Sequence, residues 1–229
     1  MRYPWLLFDA DGTLFDYDGA EASALESTLA AVGHTVRPHT RATYRRLNGE
    51  LWRQLEAGAV DAATLRYRRF ELLFAELDLP ARKAREASET YLLELARYGR
   101  LLPGAESIVR RLARRTRMAI ITNGLADVQR PRLGQSPIAE LFETITISDE
   151  LGIAKPDRRI IDVTLEALGN PPRSQVLMIG DSLSSDIQGG INAGVDTCWL
   201  SPEGTPPPAD PSPTYTIRQL DELTRIVDA

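Results

Sequence analysis

Short apolar runs that end abruptly at acidic, hydroxyl or amide residues recur along this sequence. That feature limits the fold more than any other. Trp5-Leu-Leu-Phe8 runs into Asp9-Ala-Asp11-Gly-Thr13, Met118-Ala-Ile-Ile121 into Thr122-Asn123-Gly124, and Val176-Leu-Met-Ile179 into Gly180-Asp181. Thr144–Ile147 and Val195–Leu200 are further runs of the same kind. Continuous apolar segments this short read as strands buried on both faces. Helical spacings separate the later ones: Ile108, Val109 and Leu112; then Ile160, Ile161, Leu165 and Leu168; then Asp186 to Ala193. Strands alternating with helices predict an α/β fold, a Rossmann-like parallel sheet with helices on both faces. Thr214–Ile217 reads as a last edge strand and Arg218–Val227 as a closing helix, after a loop carrying six prolines between Pro202 and Pro213.

Residues 17–97 break the alternation. They hold no strand-like run but several helical spacings (Leu25, Leu29 and Val32; Phe70, Leu73, Phe74 and Leu77; Ala87, Tyr91 and Leu95), with stops at Gly33, Gly58 and Pro80. The expected organisation is a sheet domain in two pieces, 1–16 and 98–229, with a helical insertion over 17–97 after the first strand.

In a parallel sheet, ligands bind at the carboxyl ends of the strands. Residues at i and i+2 share one side of a strand, so Asp9 and Asp11 are expected to converge. A calcium loop counted from Asp9 fails, since Leu14 and Ala20 stand where glycine and glutamate are required. Thr122-Asn123-Gly124, before a helix, has the composition of a phosphate cradle. Lys155 lies just before a helix that Pro156 can start. Of 27 basic residues only Lys83 and Lys155 are lysines, so a compact ammonium here stands out. Asp9, Asp11, Asp181 and Asp186 would crowd several charges around one spot, which one lysine cannot balance. Oxygen donors without histidine or cysteine select a hard cation, Mg2+ above others.

The ordered set Asp9-x-Asp11-Gly-Thr13, Thr122-Asn123, Lys155-Pro156 and Gly180-Asp181-x-x-x-x-Asp186 resembles the haloacid dehalogenase superfamily, in the branch with a helical cap after the first motif. Phe8 to Phe15, Ile121 to Gly124, Ala154 to Pro156, Gly189 to Gly194 and Thr197 to Leu200 are similar to bacterial pyrimidine-nucleotide 5′-nucleotidases, with a looser likeness in the cap around Leu51-Trp52. The resemblance implies a phosphatase acting on a small phosphate monoester, a nucleoside monophosphate in the nucleotidase case. Asp9 would be the nucleophile, forming an aspartyl-phosphate, and Asp11 the general acid and base. Thr122, Asn123 and Lys155 would bind the phosphoryl group. Mg2+ would be held by the Asp9 carboxylate, the Asp11 carbonyl and Asp181, with Asp186 close behind. A dehalogenase, which lacks the second aspartate, fits less well. A sugar-phosphate or phosphoglycolate phosphatase uses the same core residues and stays open. A non-catalytic binding protein on this fold should have lost one of Asp9, Asp11, Lys155 or Asp181, and none is lost. Substrate choice would fall to the cap, where Tyr17, Trp52, Tyr67 and Phe70 are aromatics able either to stack on a base or to pack the cap's own helices.

The net charge of -5 argues against nucleic acid or an anionic membrane as the partner. No stretch approaches about 18 uninterrupted apolar residues, the length of a membrane span. A single cysteine, Cys198, forms no internal disulfide, and a cytoplasmic location is the expectation.

Overall fold

Each expected strand forms, and together they make one sheet in the computed structural model, which describes residues 1–228. The strands are β1 (Trp5–Phe8), β2 (Arg117–Thr122), β3 (Thr144–Ile147), β4 (Val176–Gly180), β5 (Asp196–Leu200) and β6 (Tyr215–Ile217). Between β1 and β2 run α1 (Tyr17–Ala31), α2 (Pro38–Glu56), α3 (Ala62–Glu76), α4 (Ala84–Arg97) and α5 (Ala105–Leu112). After β2 come α6 (Ala126–Gly134), α7 (Ser148–Leu151), α8 (Arg158–Ala167), α9 (Gln188–Ala193) and α10 (Leu223–Asp228). None of the described helices is long and apolar enough to cross a membrane.

The sheet order is β3-β2-β1-β4-β5-β6, and every neighbouring pair is parallel. Successive side chains of a strand face opposite sides. Leu6, Phe8, Met118, Ile120, Leu177 and Ile179 therefore pack on one face, with Ile108, Val109 and Leu112 of α5. Leu7, Ala119, Ile121, Val176 and Met178 pack on the other, with Ile160, Ile161 and Leu165 of α8. The chain moves outward from β1 through β2 to β3, then resumes on the other side of β1 with β4. The switch point between β1 and β4 opens a crevice beyond their carboxyl ends, where ligands of such sheets bind.

The chain divides into two units. Met1–Asp16, Arg100–Ala126 and the residues from Leu133 onward form the sheet unit; Tyr17–Gly99 and Asp127–Arg132 form the helical unit. The inclusion of 127–132 in the second is a feature that hydropathy spacing did not suggest. In the sheet unit, the chain leaves and returns side by side: Phe15 bridges Leu101, and Asp16 N–H donates to the Arg100 carbonyl at 3.0 Å.

The helical unit has its own core. The rings of Tyr44, Phe70 and Tyr91 lie 5.2–5.7 Å apart, all fully buried. Phe70 is thus a core residue. The Arg85 guanidinium sits 4.5 Å from the centre of the Tyr67 ring, while Trp52 and Tyr17 are half-buried.

Two local expectations change. α8 starts at Arg158, with Asp157 as its N-cap accepting from Arg159 N–H at 2.9 Å, so Pro156 precedes the helix and does not open it. The helix expected from Asp186 is preceded by a π-helical turn, Leu183–Ile187, in which Ile187 N–H reaches the Ser182 carbonyl at 3.2 Å. Such wide turns concentrate at functional sites and cannot be read from hydropathy spacing.

Candidate active site

β1 ends at Phe8, and Asp9 is the first residue past it, its N–H still donating to the Ile179 carbonyl of β4 at 2.9 Å. The chain then curls. Leu14 and Phe15 N–H both donate to the Ala10 carbonyl, and Gly12 N–H donates to Phe15. Asp11 therefore stands on a turn, and the expectation that two carboxylates converge from one side of a strand does not apply. Among the described residues, the carboxylates brought together are Asp9, Asp181 and Asp186, with oxygens within 4.8 Å of one another. The Asp11 side chain is not one of them.

Two glycines make this convergence possible. Gly12 has φ +81, and a Cβ there would lie 2.4 Å from Asp181 Oδ2. A Cβ on Gly180 would lie 2.1 Å from Asp186 Oδ2. Any side chain at either position would displace a carboxylate.

Lys155 joins the cluster from the segment before α8. Its buried ammonium donates to Asp9 Oδ1 at 2.6 Å, Asp186 Oδ1 at 2.7 Å and the Ile121 carbonyl at 2.7 Å. Asp186 is 1 % exposed, and its other oxygen accepts from Ser182 N–H at 3.0 Å. Asp181 reaches solvent, with Oδ1 accepting from the Thr13 hydroxyl at 3.2 Å. The Trp199 indole on β5 donates to the Asp181 carbonyl at 2.8 Å. Trp199 and Thr13 are supports that single-residue reasoning passed over; both lie inside the motifs already quoted, but nothing in their spacing shows which way they bond.

Thr122, at the end of β2, is buried, and its hydroxyl accepts from Gly124 N–H at 3.2 Å. The Asn123 carboxamide engages the main chain of Lys155: its oxygen accepts from Lys155 N–H at 2.8 Å and its nitrogen donates to the Lys155 carbonyl at 2.9 Å.

The electrostatics follow from crowding. Burial pushes the Asp9 carboxyl well above its ordinary range, Lys155 pulls it back, and Asp186 and Asp181 add to the push. Asp181 is pushed up to about 7, by burial and then by Asp186, a push that its contact with solvent moderates. Burial alone would lower the Lys155 ammonium, but the Asp186 and Asp9 charges outweigh it and the net shift is upward. Three carboxylates thus face one ammonium, a site short of positive charge. An all-oxygen donor set of this kind fits a hard divalent cation.

Residues 3–194 match the haloacid dehalogenase-like hydrolases. The chain belongs to that family. Among its relatives in this hydrolase family is pyrimidine 5′-nucleotidase YjjG of Escherichia coli, 36% identical over 227 residues that cover 99% of each protein. Pyrimidine 5′-nucleotidase PynA of Streptococcus pneumoniae is 33% identical over 229 residues, covering 100% of this chain and 96% of that one. The crystal structure of the HAD-hydrolase YfnB from Bacillus subtilis, bound to magnesium, superposes with a TM-score of 0.92 at 33% identity, covering 100% of both chains. The open parallel sheet is therefore that of the haloacid dehalogenase hydrolases.

Proposed function

We propose that this hydrolase is a Mg2+-dependent phosphatase of the 5′-nucleotidase type, acting on pyrimidine nucleoside monophosphates through an aspartyl-phosphate. The observation that carries the proposal is the charge deficit at the strand ends, where, among the described residues, Asp9, Asp181 and Asp186 cluster and Lys155 pairs with two of them. A nucleophilic carboxylate must be ionised, and burial opposes that at Asp9. A divalent cation held by the Asp9 carboxylate, the Asp11 carbonyl and Asp181, with Asp186 behind, would restore ionisation and screen the phosphoryl charge.

The rest is the work of this chain's side chains. Lys155 holds Asp9 through Oδ1, so Oδ2 is the oxygen for attack on phosphorus. The new bond is Asp9 Oδ2–P, and the bond broken is the one from phosphorus to the ester oxygen. Asp11 gives its proton to the departing alkoxide, then removes one from the water that attacks phosphorus and releases Asp9. Thr122, with main-chain N–H groups of the loop after β2, lies at the strand end suited to the phosphoryl oxygens, where fixed donors contribute most to this chemistry.

The pyrimidine assignment is supported by two relatives named as pyrimidine 5′-nucleotidases, aligned over nearly the whole chain. The helical residues 17–97 are read as a cap that selects the base, with Trp52 as the half-buried aromatic available to it. A phosphate-release screen with Mg2+ tests this. UMP, dUMP or dTMP should exceed ribose 5-phosphate and phosphoglycolate in kcat/KM by at least about tenfold, or about 1.4 kcal/mol of transition-state binding. A sugar phosphate or phosphoglycolate at the head of the screen would leave the phosphatase chemistry standing and remove the pyrimidine assignment.

A further inference from the structure

Asn123 follows Thr122 at the mouth of the β1–β4 crevice, where a carboxamide facing a phosphoryl oxygen would be expected. Its side chain is committed to another task. Both main-chain polar groups of Lys155, N–H and C=O, are bonded to this one carboxamide, at 2.8 and 2.9 Å. Lys155 lies between α7 and α8, in a stretch without regular secondary structure. The nearest other ties on that stretch fall on its neighbours: Asn192 donates to the Pro156 carbonyl at 2.9 Å, and Asp157 N–H to the Ala154 carbonyl at 2.9 Å.

The Lys155 side chain is equally determined. An ammonium has three donors. All three are used, on Asp9, Asp186 and the Ile121 carbonyl, within a side chain that is 1 % exposed. The ammonium can occupy that position only if the backbone carrying it is fixed.

We propose that the Asn123 side chain is a positioning residue: it clamps the main chain of Lys155, and through it sets the ammonium between Asp9 and Asp186, instead of binding the phosphoryl group. Without the clamp, the Lys155 N–H and C=O lose their partners and turn to water. The loop shifts with them and the ammonium leaves its three acceptors. A ligand of the phosphoryl group would show its loss whether or not the Lys155 ammonium is present; a clamp shows it only through that ammonium.

The proposal uses the phosphatase reading for one of its assays and is also testable without it. The variants are N123A, N123D, K155A and the N123A/K155A double, in the full chain, with Mg2+ and an aryl phosphate. Affinity for inorganic phosphate is measured by calorimetry. N123A should lower kcat by about 10- to 100-fold, the scale of an ångström-sized misplacement. In the K155A background its phosphate Kd should stay within about twofold of that of K155A alone, the margin for uncoupled sites. In the K155A background the same substitution should cost no more than about twofold, because its effect runs through Lys155. N123D, which keeps an acceptor for Lys155 N–H, should recover part of the N123A loss.

The chain has only two lysines, so amine acylation followed by mass spectrometry gives a readout independent of activity. Lys155 labelling relative to Lys83 should rise in N123A, or in N123D should N123A fail to fold. A phosphate Kd that N123A weakens further in the K155A background, losses in kcat that multiply there, or a labelling ratio that stays at the wild-type value would each overturn the clamp. A wild-type chain that releases phosphate from no ester would count against the phosphatase reading, and the labelling ratio would still decide the clamp.

Discussion

Each unit of this protein buries a cluster of charged side chains, and the two clusters are built on opposite principles. In the helical unit, Glu21 accepts from Arg45 Nε at 2.8 Å, and Asn48 lies between Glu21 and the buried Arg69 at 3.5 and 3.4 Å. The Arg69 guanidinium also sits 4.9 Å from the centre of the Tyr91 ring. Here one carboxylate stands among two guanidiniums, and the group sits against the aromatic core. In the sheet unit, three carboxylates meet one ammonium. Burying a charge is tolerable when it is paired. In the first cluster the one buried carboxylate, Glu21, is paired with Arg45 from within the chain; in the second the carboxylates outnumber the ammonium that faces them. The excess of carboxylates in the second is the feature on which the proposed phosphatase site rests.

The largest expected effect that tests this contrast is at Asp9. Asp9→Asn keeps the shape and should keep the fold, but an amide is no nucleophile, so phosphate release should fall to background. Turnover persisting in a clean preparation would show that the unbalanced cluster is not the reacting one. Asp11→Asn comes next: kcat should drop by about 10²–10⁴, and less for aryl phosphates, whose leaving groups need little protonation. Equal losses across leaving groups would remove Asp11 from acid–base duty.

In the helical unit the matching experiment is Phe70→Ala. It should lower unfolding free energy by about 3–5 kcal/mol, the range for deleting a buried phenylalanine, when read by denaturant titration. It should leave kcat for a small aryl phosphate near wild type at low denaturant. A catalytic defect as large as that of Asp11→Asn would break the contrast between a structural and a chemical core.

The smallest effect expected is on pH dependence. Asp181 has its carboxyl raised to about 7, so without metal it holds a proton below that pH and must lose it to bind a cation. Mg2+ affinity should therefore weaken as pH falls through about 7, by up to about tenfold per unit, and level off above it. Mg2+ titrations at pH 6 and pH 8 read this directly; equal affinities would mean that Asp181 stays ionised without help.

Much of the fold was legible because apolar runs of strand length leave few alternatives. Trp5–Phe8 and Val176–Ile179 are too apolar to lie on a surface and too short for helices of this size, and both became central strands. The helices between Tyr17 and Arg97 were legible from their spacing, but the grouping of 127–132 with them was not, since α6 reads as an ordinary helix after a strand. Asp9, Lys155, Asp181 and Asp186 were visible as a set because each follows a strand or opens the segment beyond one.

What the sequence determined by itself is local: which segments are strands, and that acidic, hydroxyl and ammonium groups stand at their ends. Periodicity and burial act over a few residues, and a linear pattern records them. The tertiary structure alone decided how those groups pair. It grouped the carboxylates of Asp9, Asp181 and Asp186 without that of Asp11, just beyond the end of β1 at Phe8, and it aimed Asp186 through a π turn behind Gly180. It also brought the Asn123 carboxamide onto a backbone that follows it by 32 residues. Hydrogen bonds have a reach of about 3 Å and a narrow angular range. Which donor meets which acceptor depends on packing across the sheet, where neighbours in space are far apart in the chain.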